Sequence, residues 1–373
     1  MQKGSSKRAG RRERLAKRAA KPVIDPCPPG QVGGRYKPLT VPEIKAIYAT
    51  TLRLLEELGI GEVPDRLARL FRDLGARDNG SGRMLFPRGL VEEAIDAAAK
   101  QFVLHGRDDS RSIEVGGDRV YFGTGGAAVQ TLDMDTGLYR PSTLEDLHNF
   151  TRLQDQLANV SWFTRCCIAT DVQSTLDLDV NTAYALIRNT TKPTATAFTV
   201  AEHVSPIVHM LDIAAGGEGL YSRRPFMKVH ISPLISPMRY GEDAVDVTFE
   251  CIRHNIPISC ITAAQAGATA PATLAGFLAQ SFAETLASLL MVHAIKPGHP
   301  MVFSNWPFVI DLRTGAFAGS GGETAIMNAA SAQISNWLGL PSGVVASMSD
   351  AKAIDAQYGA EKAMTSLAAA LAG

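Results

Sequence analysis

The stretch Val344-Val345-Ala346-Ser347-Met348-Ser349-Asp350-Ala351-Lys352 is an apolar run that ends abruptly in hydroxyl, carboxylate and ammonium side chains. Its β-branched beginning predicts a buried strand over residues 344–347. In parallel α/β proteins, the carboxyl ends of buried strands form the edge of the sheet at which ligands bind. The stretch therefore predicts both a parallel sheet and a functional site at this edge of it.

Five earlier apolar runs, separated by helical patterns, precede this stretch. Together they predict six strands, over residues 163–168, 194–199, 227–231, 258–262, 301–304 and 344–347. Periodic apolar residues predict helices between and beside them, over residues 179–189, 204–214, 242–254, 273–294 and 322–338. Because strands that alternate with helices form parallel sheets, the pattern indicates an α/β fold, either a barrel or an open doubly wound sheet.

The number of strand and helix units bears on the choice between these folds. A closed (β/α)8 barrel of the TIM type needs eight strands and roughly 250 residues. Six units occupy residues 161–373, so a barrel built from them would be incomplete at its carboxyl end. We therefore expect a truncated or split sequence, whose first and sixth strands expose edges that invite association into homo-oligomers.

The residues before the barrel divide into two segments. Residues 1–36 begin with a basic stretch and continue into a Pro- and Gly-rich one, which predicts a disordered leader and linker. Residues 37–158 are expected to form an α+β accessory region, and residues 159–373 the barrel. Helical patterns in the accessory region lie at 40–58, 64–74, 88–100 and 142–158, and short strands lie at 112–115, 120–122 and 128–132.

Charge and hydropathy exclude several classes of protein. Residues 1–21 hold nine Lys or Arg against one Glu, so the remainder carries minus eight although the whole chain is neutral. No aromatic residues are interleaved with the basic ones to stack bases, which argues against nucleic acid as a partner, although a docking arm for polyanions stays open. The chain has no continuous apolar run of roughly 18 residues and no signal peptide pattern. We expect a cytoplasmic protein.

Cysteine and histidine spacing gives no sign of a metal site. The chain has eight histidines without an H-E-x-x-H pattern, and five cysteines without C-x-x-C spacing, at positions Cys27, Cys166, Cys167, Cys251 and Cys260. This predicts reduced, buried thiols and no metal bound by this chain.

Polar and aromatic side chains stand at the carboxyl ends of several predicted strands. His230 closes the third strand, Gln265 follows the fourth, and Asn305 and Trp306 follow the fifth. The sixth leads into the stretch quoted above. Because the carboxyl ends of parallel strands meet at one edge, we expect these side chains to lie close together.

Several blocks of the chain resemble the trimethylamine methyltransferase family of corrinoid-dependent TIM barrels. The blocks follow in the family's order and cover roughly residues 38–373. They are Gly106-Arg107-Asp108, Phe122-Gly123-Thr124-Gly125-Gly126, the segment from Asp133 to Asp146, Asp311-Leu312-Arg313-Thr314-Gly315, Gly321-Gly322-Glu323 and Ser349-Asp350-Ala351-Lys352 with its continuation to Lys362. Some members of this family carry pyrrolysine, and that position falls on Ser347, so the chain resembles the members without it.

This resemblance implies methyl transfer from a methylated amine to the cobalt of a separate corrinoid protein. The absence of pyrrolysine favours a quaternary amine, such as glycine betaine or a related betaine. A quaternary nitrogen leaves as a neutral tertiary amine, so its methyl group can be attacked without a general acid, and catalysis depends on positioning and desolvation. The resemblance places the catalytic candidates at Ser347 and Asp350.

The substrate would need an aromatic surface for its cation and donors for a carboxylate. Aromatic faces attract quaternary ammonium groups, for which Trp306 and then Phe198 are the candidates. Donors for the carboxylate are expected from His230, Gln265, Asn305 and Arg313. No cofactor is expected to bind tightly to this chain, because Asp146-Leu147-His148 begins a D-x-H-x-x-G corrinoid motif but lacks its glycine.

Other functions remain open from the sequence alone. Gly123-Thr124-Gly125-Gly126-Ala127-Ala128 fits a dinucleotide-binding pattern, but the residues after it suggest a strand where that site requires a helix. A lyase or aldolase on the same barrel would need a Schiff-base lysine. The candidates are Lys228, in the third predicted strand, and Lys352, after the sixth. A non-catalytic fragment or interaction subunit is the remaining alternative.

Overall fold

Seven parallel strands form the largest sheet of the protein, and they follow one another across the sheet in chain order. The fold is given by a computed structural model, which describes Gly10 and residues 28–373. Most of the predicted basic leader therefore lies outside the described residues. The strands are β1 (Phe122–Gly123), β2 (Val160–Thr164), β3 (Thr194–Thr196), β4 (Met227–Ile231), β5 (Ile258–Thr262), β6 (Met301–Asn305) and β7 (Ser342–Gly343).

Strands β4 and β5 begin and end where the sequence predicts, and every residue of both strands is buried. The prediction for the last strand is wrong. The strand lies at Ser342–Gly343, which pair with Phe303 and Ser304 of β6, and residues 344–347 continue beyond the ladder. Ser347 has a φ of 62°, a left-handed conformation that extended strands do not contain.

The outer edge of β2 is paired, contrary to the expectation of an exposed edge on the first barrel strand. Strand β1 comes from the region predicted to be accessory, and Phe122 and Gly123 run parallel to Val160 and Trp162. The element directly after β1 is not a helix but the strand Gln130–Leu132. This order excludes the strand–turn–helix unit of a dinucleotide site.

Eleven α-helices lie within the part of the chain from residue 28 onward. They are α1 (Val41–Arg53), α2 (Asp65–Asp73), α3 (Arg88–Ala97), α4 (Leu144–Gln156), α5 (Thr175–Asn189), α6 (Val204–Ala215), α7 (Leu220–Arg223), α8 (Glu242–Arg253), α9 (Leu274–Ile295), α10 (Gly322–Trp337) and α11 (Ala356–Ala372). A capping box opens α1, where the backbone N–H and the hydroxyl of Thr40 both donate to Oε2 of Glu43 at 2.7 Å.

Helix α9 is the central helix of the core. It packs on β5 and β6, and helices α1, α2 and α3 of the amino-terminal region pack on it. By length and composition α9 could cross a membrane, but 83% of its most apolar window is buried inside the fold. Core helices of soluble proteins have the same character, and the burial of α9 on several sides explains its apolar sequence.

Smaller sheets surround the parallel one. Leu234–Ile235, Arg239–Tyr240, Ile60–Gly61, Arg83–Leu85 and Arg77–Asp78 form a five-stranded sheet, and Gln265–Ala266, Phe308–Ile310 and Phe317–Ala318 form a three-stranded sheet. Three strand pairs complete the set: Phe102–Leu104 with Ile113–Val115, Gln130–Leu132 with Tyr139–Pro141, and Gln31–Val32 with Arg119–Val120.

The end of the predicted linker is attached to the folded chain. Gln31 and Val32 pair with Val120 and Arg119, and the backbone N–H groups of residues 35 and 36 donate to the carbonyl of Leu371. Residues 31–36 therefore connect the accessory region to the last helix, while the domain boundary at residue 37 stays a prediction.

Candidate functional site

Three aromatic side chains meet on one face of the sheet, toward the carboxyl ends of its strands. Trp162 lies in β2, His230 in β4, and Trp306 directly after β6. The ring centroid of His230 is 5.9 Å from that of Trp162 and 6.3 Å from that of Trp306. The imidazole is buried, whereas both indoles are partly exposed. The two indoles thus stand on either side of a single imidazole.

Two glycines of the block 123–126 bring β1 close to these rings. A Cβ atom at Gly123 would collide with the indole of Trp162, so only glycine permits the ring to lie on this backbone. A Cβ atom at Gly125 would stand 3.5 Å from the indole of Trp306. These glycines therefore let the backbone at the end of β1 and just after it pack closely against the two indole rings.

A buried lysine, Lys228, lies next to the imidazole of His230. The Nζ atom of Lys228 is 2.5 Å from Nε2 of His230 and 4.4 Å from the centroid of the Trp162 ring. Burial lowers the pKa of Lys228 to about 7. Burial and the nearby charges of Lys228 and Arg165 hold the pKa of His230 well below its usual range, so the imidazole is neutral.

These contacts determine which nitrogen of His230 carries the proton. When Lys228 is charged it can only donate, so Nε2 then accepts from Nζ and the neutral ring carries its hydrogen on Nδ1. Among the described residues, nothing forms a hydrogen bond with Nδ1. The geometry therefore leaves one N–H donor of His230 for a ligand.

Phe198 and Gln265 lie near the same end of the sheet. Phe198 follows β3 and is buried, with 8% of its surface exposed, so it belongs mainly to the core. The carbonyl of Gln265 closes the turn of residues 268–270. The side-chain amide of Gln265 is half-buried and has no hydrogen bond within the described residues. Gln265 thus stays available as a donor.

Asn305 and Arg313 do not face the aromatic side chains. The Nδ2 atom of Asn305 donates to Ser281 Oγ at 3.0 Å and to Ser331 Oγ at 3.1 Å, both on helices outside the sheet. Successive strand residues point to opposite faces, so the amide of Asn305 faces the helices and Trp306 faces the site. Arg313 is 88% exposed and pairs with Asp311 within its own loop.

Ser347 and Asp350 hold loops together. Ser347 is exposed, its N–H donates to Thr365 Oγ1 at 3.0 Å, and its carbonyl accepts from Lys362 Nζ at 2.6 Å. Both carboxylate oxygens of Asp350 are occupied, since Oδ1 accepts from the N–H of Gly319, and Oδ2 from the N–H and hydroxyl of Ser320. These contacts position the loop before α10, and the catalytic assignment of both residues stays a prediction.

Trp162 and Arg165 were not predicted as site residues from the sequence, and Lys228 was a candidate only for Schiff-base chemistry. Trp162 could have been found by alternation, because every second residue of β2 faces the same side of the sheet. Arg165 directly follows β2, and burial lowers the pKa of its guanidinium. A single arginine after a strand belongs to no motif, so sequence spacing gave no signal for it.

The residues of the incomplete corrinoid motif are used within the fold. Arg140 Nη1 donates to Asp146 Oδ2 at 2.6 Å, and this pair lowers the pKa of Asp146 to about 2. His148 Nδ1 is 2.7 Å from the amide of Asn189, on the neighbouring helix. Asp146 and His148 therefore have partners within the fold, and the expectation that this chain binds no corrinoid tightly stays a prediction. The described residues also contain no cluster of three or more His, Cys, Asp or Glu that could hold a metal ion.

Four cysteines lie in the described part of the chain, and all are free thiols. Cys167, Cys251 and Cys260 are buried and Cys166 is partly buried. The pair Cys166 and Cys167 follows β2 instead of lying in it, so the two residues do not alternate across a sheet. Cys27 lies outside the described residues.

Comparison with known proteins gives one family. A profile of the trimethylamine methyltransferase (MTTB) family matches residues 7–373. The glycine betaine methyltransferase of Desulfitobacterium hafniense strain Y51 is 28% identical over 344 residues, which are 92% of this chain and 71% of that protein. The trimethylamine methyltransferase MttB of D. hafniense strain DCB-2 is 29% identical, over 89% of this chain and 66% of its own length. MttB of Methanosarcina barkeri is 30% identical, over 90% of this chain and 68% of its own length.

Proposed function

The chain belongs to the trimethylamine methyltransferase family, and from this premise we propose that it moves a methyl group from a quaternary amine to the cobalt of a separate corrinoid protein. Glycine betaine or a related betaine is the proposed methyl donor. The chain spans about two thirds of the length of the relatives that it matches, which include both a glycine betaine and a trimethylamine methyltransferase.

The proposed scaffold is a TIM-type (β/α)8 barrel, of which the seven parallel strands are a part. In such barrels, side chains from alternate strands fill one layer of the interior. Trp162, His230 and Trp306 come from β2, β4 and the end of β6 and are in ring contact. Gly125, just after β1, also packs against Trp306. In a flat sheet β1 and β6 would lie far apart, so the approach of Gly125 to Trp306 supports a sheet that curves toward a closed barrel.

The observation that carries the proposed function is the pair of partly exposed indoles around a neutral imidazole. The faces of indole rings attract quaternary ammonium groups, with estimates of about 0.5–2 kcal/mol for each contact. The low pKa of Lys228, which burial brings to about 7, reduces positive charge beside the site. A cationic substrate is thereby spared much of the repulsion that a fully charged ammonium would cause.

The proposed chemistry needs little acid or base from the protein. When the methyl carbon is attacked, the C–N bond breaks with both electrons going to nitrogen, which departs as a neutral tertiary amine. No proton has to be supplied to this leaving group. The side chains then act by holding the ammonium, aligning one methyl group toward the solvent side of the strand ends, and excluding water.

Transfer to cobalt tests the proposal directly. The full chain, a reduced corrinoid protein and a methyl donor are mixed, and the conversion of cob(I)alamin to methylcobalamin is followed by its absorbance. We expect conversion with glycine betaine or a related betaine and little with trimethylamine, because Ser347 cannot supply the electrophilic imine of pyrrolysine. Equal turnover of trimethylamine would contradict the proposal.

Lys228 favours a second candidate, a lyase or aldolase that forms a Schiff base. A buried lysine with a pKa of about 7 has a sizeable neutral fraction and can act as a nucleophile toward a carbonyl group. The other lysine considered, Lys352, is exposed and lacks this environment. Borohydride reduction with a mixed set of aldehydes, followed by mass spectrometry, distinguishes the two functions. A trapped adduct on Lys228 supports this candidate, and an unmodified chain supports methyl transfer.

A further inference from the structure

Arg165 stands at the carboxyl end of β2, three residues after Trp162 of the proposed site. It directly follows β2, and its charge contributes to the low pKa of His230 on β4. Burial also lowers the pKa of the Arg165 guanidinium itself. Among the described residues, no carboxylate forms a salt bridge with it, and no side-chain or backbone acceptor forms a hydrogen bond with its guanidinium. A partly buried cation is thus left without a counter-ion.

The carboxylate of Asp179, whose charge acts to raise the pKa of Arg165, is engaged elsewhere. Its Oδ2 accepts from the N–H of Thr199 at 2.7 Å and contacts Nδ1 of His203 at 2.7 Å. Its Oδ1 accepts from the hydroxyl of Thr199 at 2.9 Å. These bonds tie helix α5 to the loop after β3. Desolvating a charge without a partner is unfavourable, so the arrangement suits a ligand that brings its own anion.

We infer that Arg165 and the Nδ1–H of His230 bind the carboxylate of the substrate, so that the site selects quaternary amines that carry a carboxylate. This inference rests on the proposed function. Arg165 and His230 lie on the β2 and β4 side of the site, and Trp306 lies beyond the imidazole on the β6 side. A carboxylate on the arginine side thus directs the ammonium toward Trp306. Guanidinium groups match carboxylates with two parallel N–H donors.

The test compares two ligands that differ in charge and little in shape. Binding of glycine betaine and of trimethylammonioacetamide, in which a neutral carboxamide replaces the carboxylate, is measured by titration calorimetry on the full chain and on its Arg165→Gln and Arg165→Lys variants. Arg53→Gln, an exposed helix residue paired with Glu57, is the matched control. Thermal melts of all four proteins check that each is folded.

We expect wild type and R53Q to prefer betaine over the amide by about 10- to 100-fold, the range for charge-assisted hydrogen bonds. In R165Q the preference should fall below about 3-fold through loss of betaine affinity, with amide affinity retained. R165K should be intermediate, because it keeps the charge and loses the paired donors.

Several outcomes would overturn the inference. One is an unchanged preference in folded R165Q, or in R165K if R165Q does not fold. Another is an equal loss of affinity for both ligands in R165Q, which would show a structural role for Arg165. If the wild type binds neither ligand, the proposed function itself fails. If it binds both without preference, only the carboxylate assignment fails.

Discussion

Replacing Trp306 with alanine separates a ligand-binding indole from a core indole. Trp306 is partly exposed at the end of β6, and its ring contacts are with His230 and the backbone at Gly125. A single cation–π platform contributes about 0.5–2 kcal/mol, so W306A should weaken quaternary amine binding by roughly 2- to 30-fold at 1.4 kcal/mol per decade. The loss of a fully packed core indole would instead cost about 3–5 kcal/mol of folding stability.

The assay pairs calorimetric titration of glycine betaine and tetramethylammonium with urea unfolding of the same proteins. Trp337→Ala is the matched control, because Trp337 is 40% exposed and makes one edge contact with Tyr48 at 5.4 Å, away from the strand ends. W337A should keep wild-type affinity for both ligands. Unchanged affinity of W306A combined with a loss of stability in the core range would refute the placement of the cation on Trp306.

Two further variants test other groups. Asp350→Ala removes three accepted hydrogen bonds from the loop before α10, so it should lower the free energy of unfolding by roughly 2–3 kcal/mol in urea melts; normal stability with abolished turnover would point to catalysis instead. Lys228→Met tests whether the buried lysine makes folding stability depend on pH. Burial lowers the pKa of Lys228 from 10.5 to about 7. From about pH 7 to about pH 9.5 the unfolded chain therefore binds a proton that the folded chain does not. The unfolding free energy of wild type should then rise with pH relative to K228M by roughly 3 kcal/mol, and a flat difference would show that Lys228 is not buried as described.

The strands that the sequence predicts well are those whose burial is continuous. Met227–Ile231 and Ile258–Thr262 are covered on both faces, and their predicted bounds match the structure. The end of the last strand depends instead on register. Only the pairing of Ser342 and Gly343 with β6 determines where the ladder stops, and this pairing is a long-range property.

The candidate site was predictable in its location and less so in its members. Because the carboxyl ends of parallel strands meet at one edge, His230 and Trp306 were expected to lie close together, and their ring centroids are 6.3 Å apart. Asn305 and Trp306 are neighbours in the chain, and the alternation of strand side chains already implied that they point to opposite faces. The proposed role of Arg165 depends on its lack of a counter-ion among the described residues, which no sequence motif reveals. That absence becomes visible only when the fold brings β2, β4 and α5 together.

A crystal structure of the chain with glycine betaine bound tests the central claim most directly. We expect the trimethylammonium group within about 6 Å of the Trp306 ring centroid, and the carboxylate on Arg165 and Nδ1 of His230. A methyl group should then point out of the site, toward the face that a corrinoid protein could approach. Betaine bound away from the carboxyl ends of β2, β4 and β6, or bound with its carboxylate on Trp306, would contradict the account.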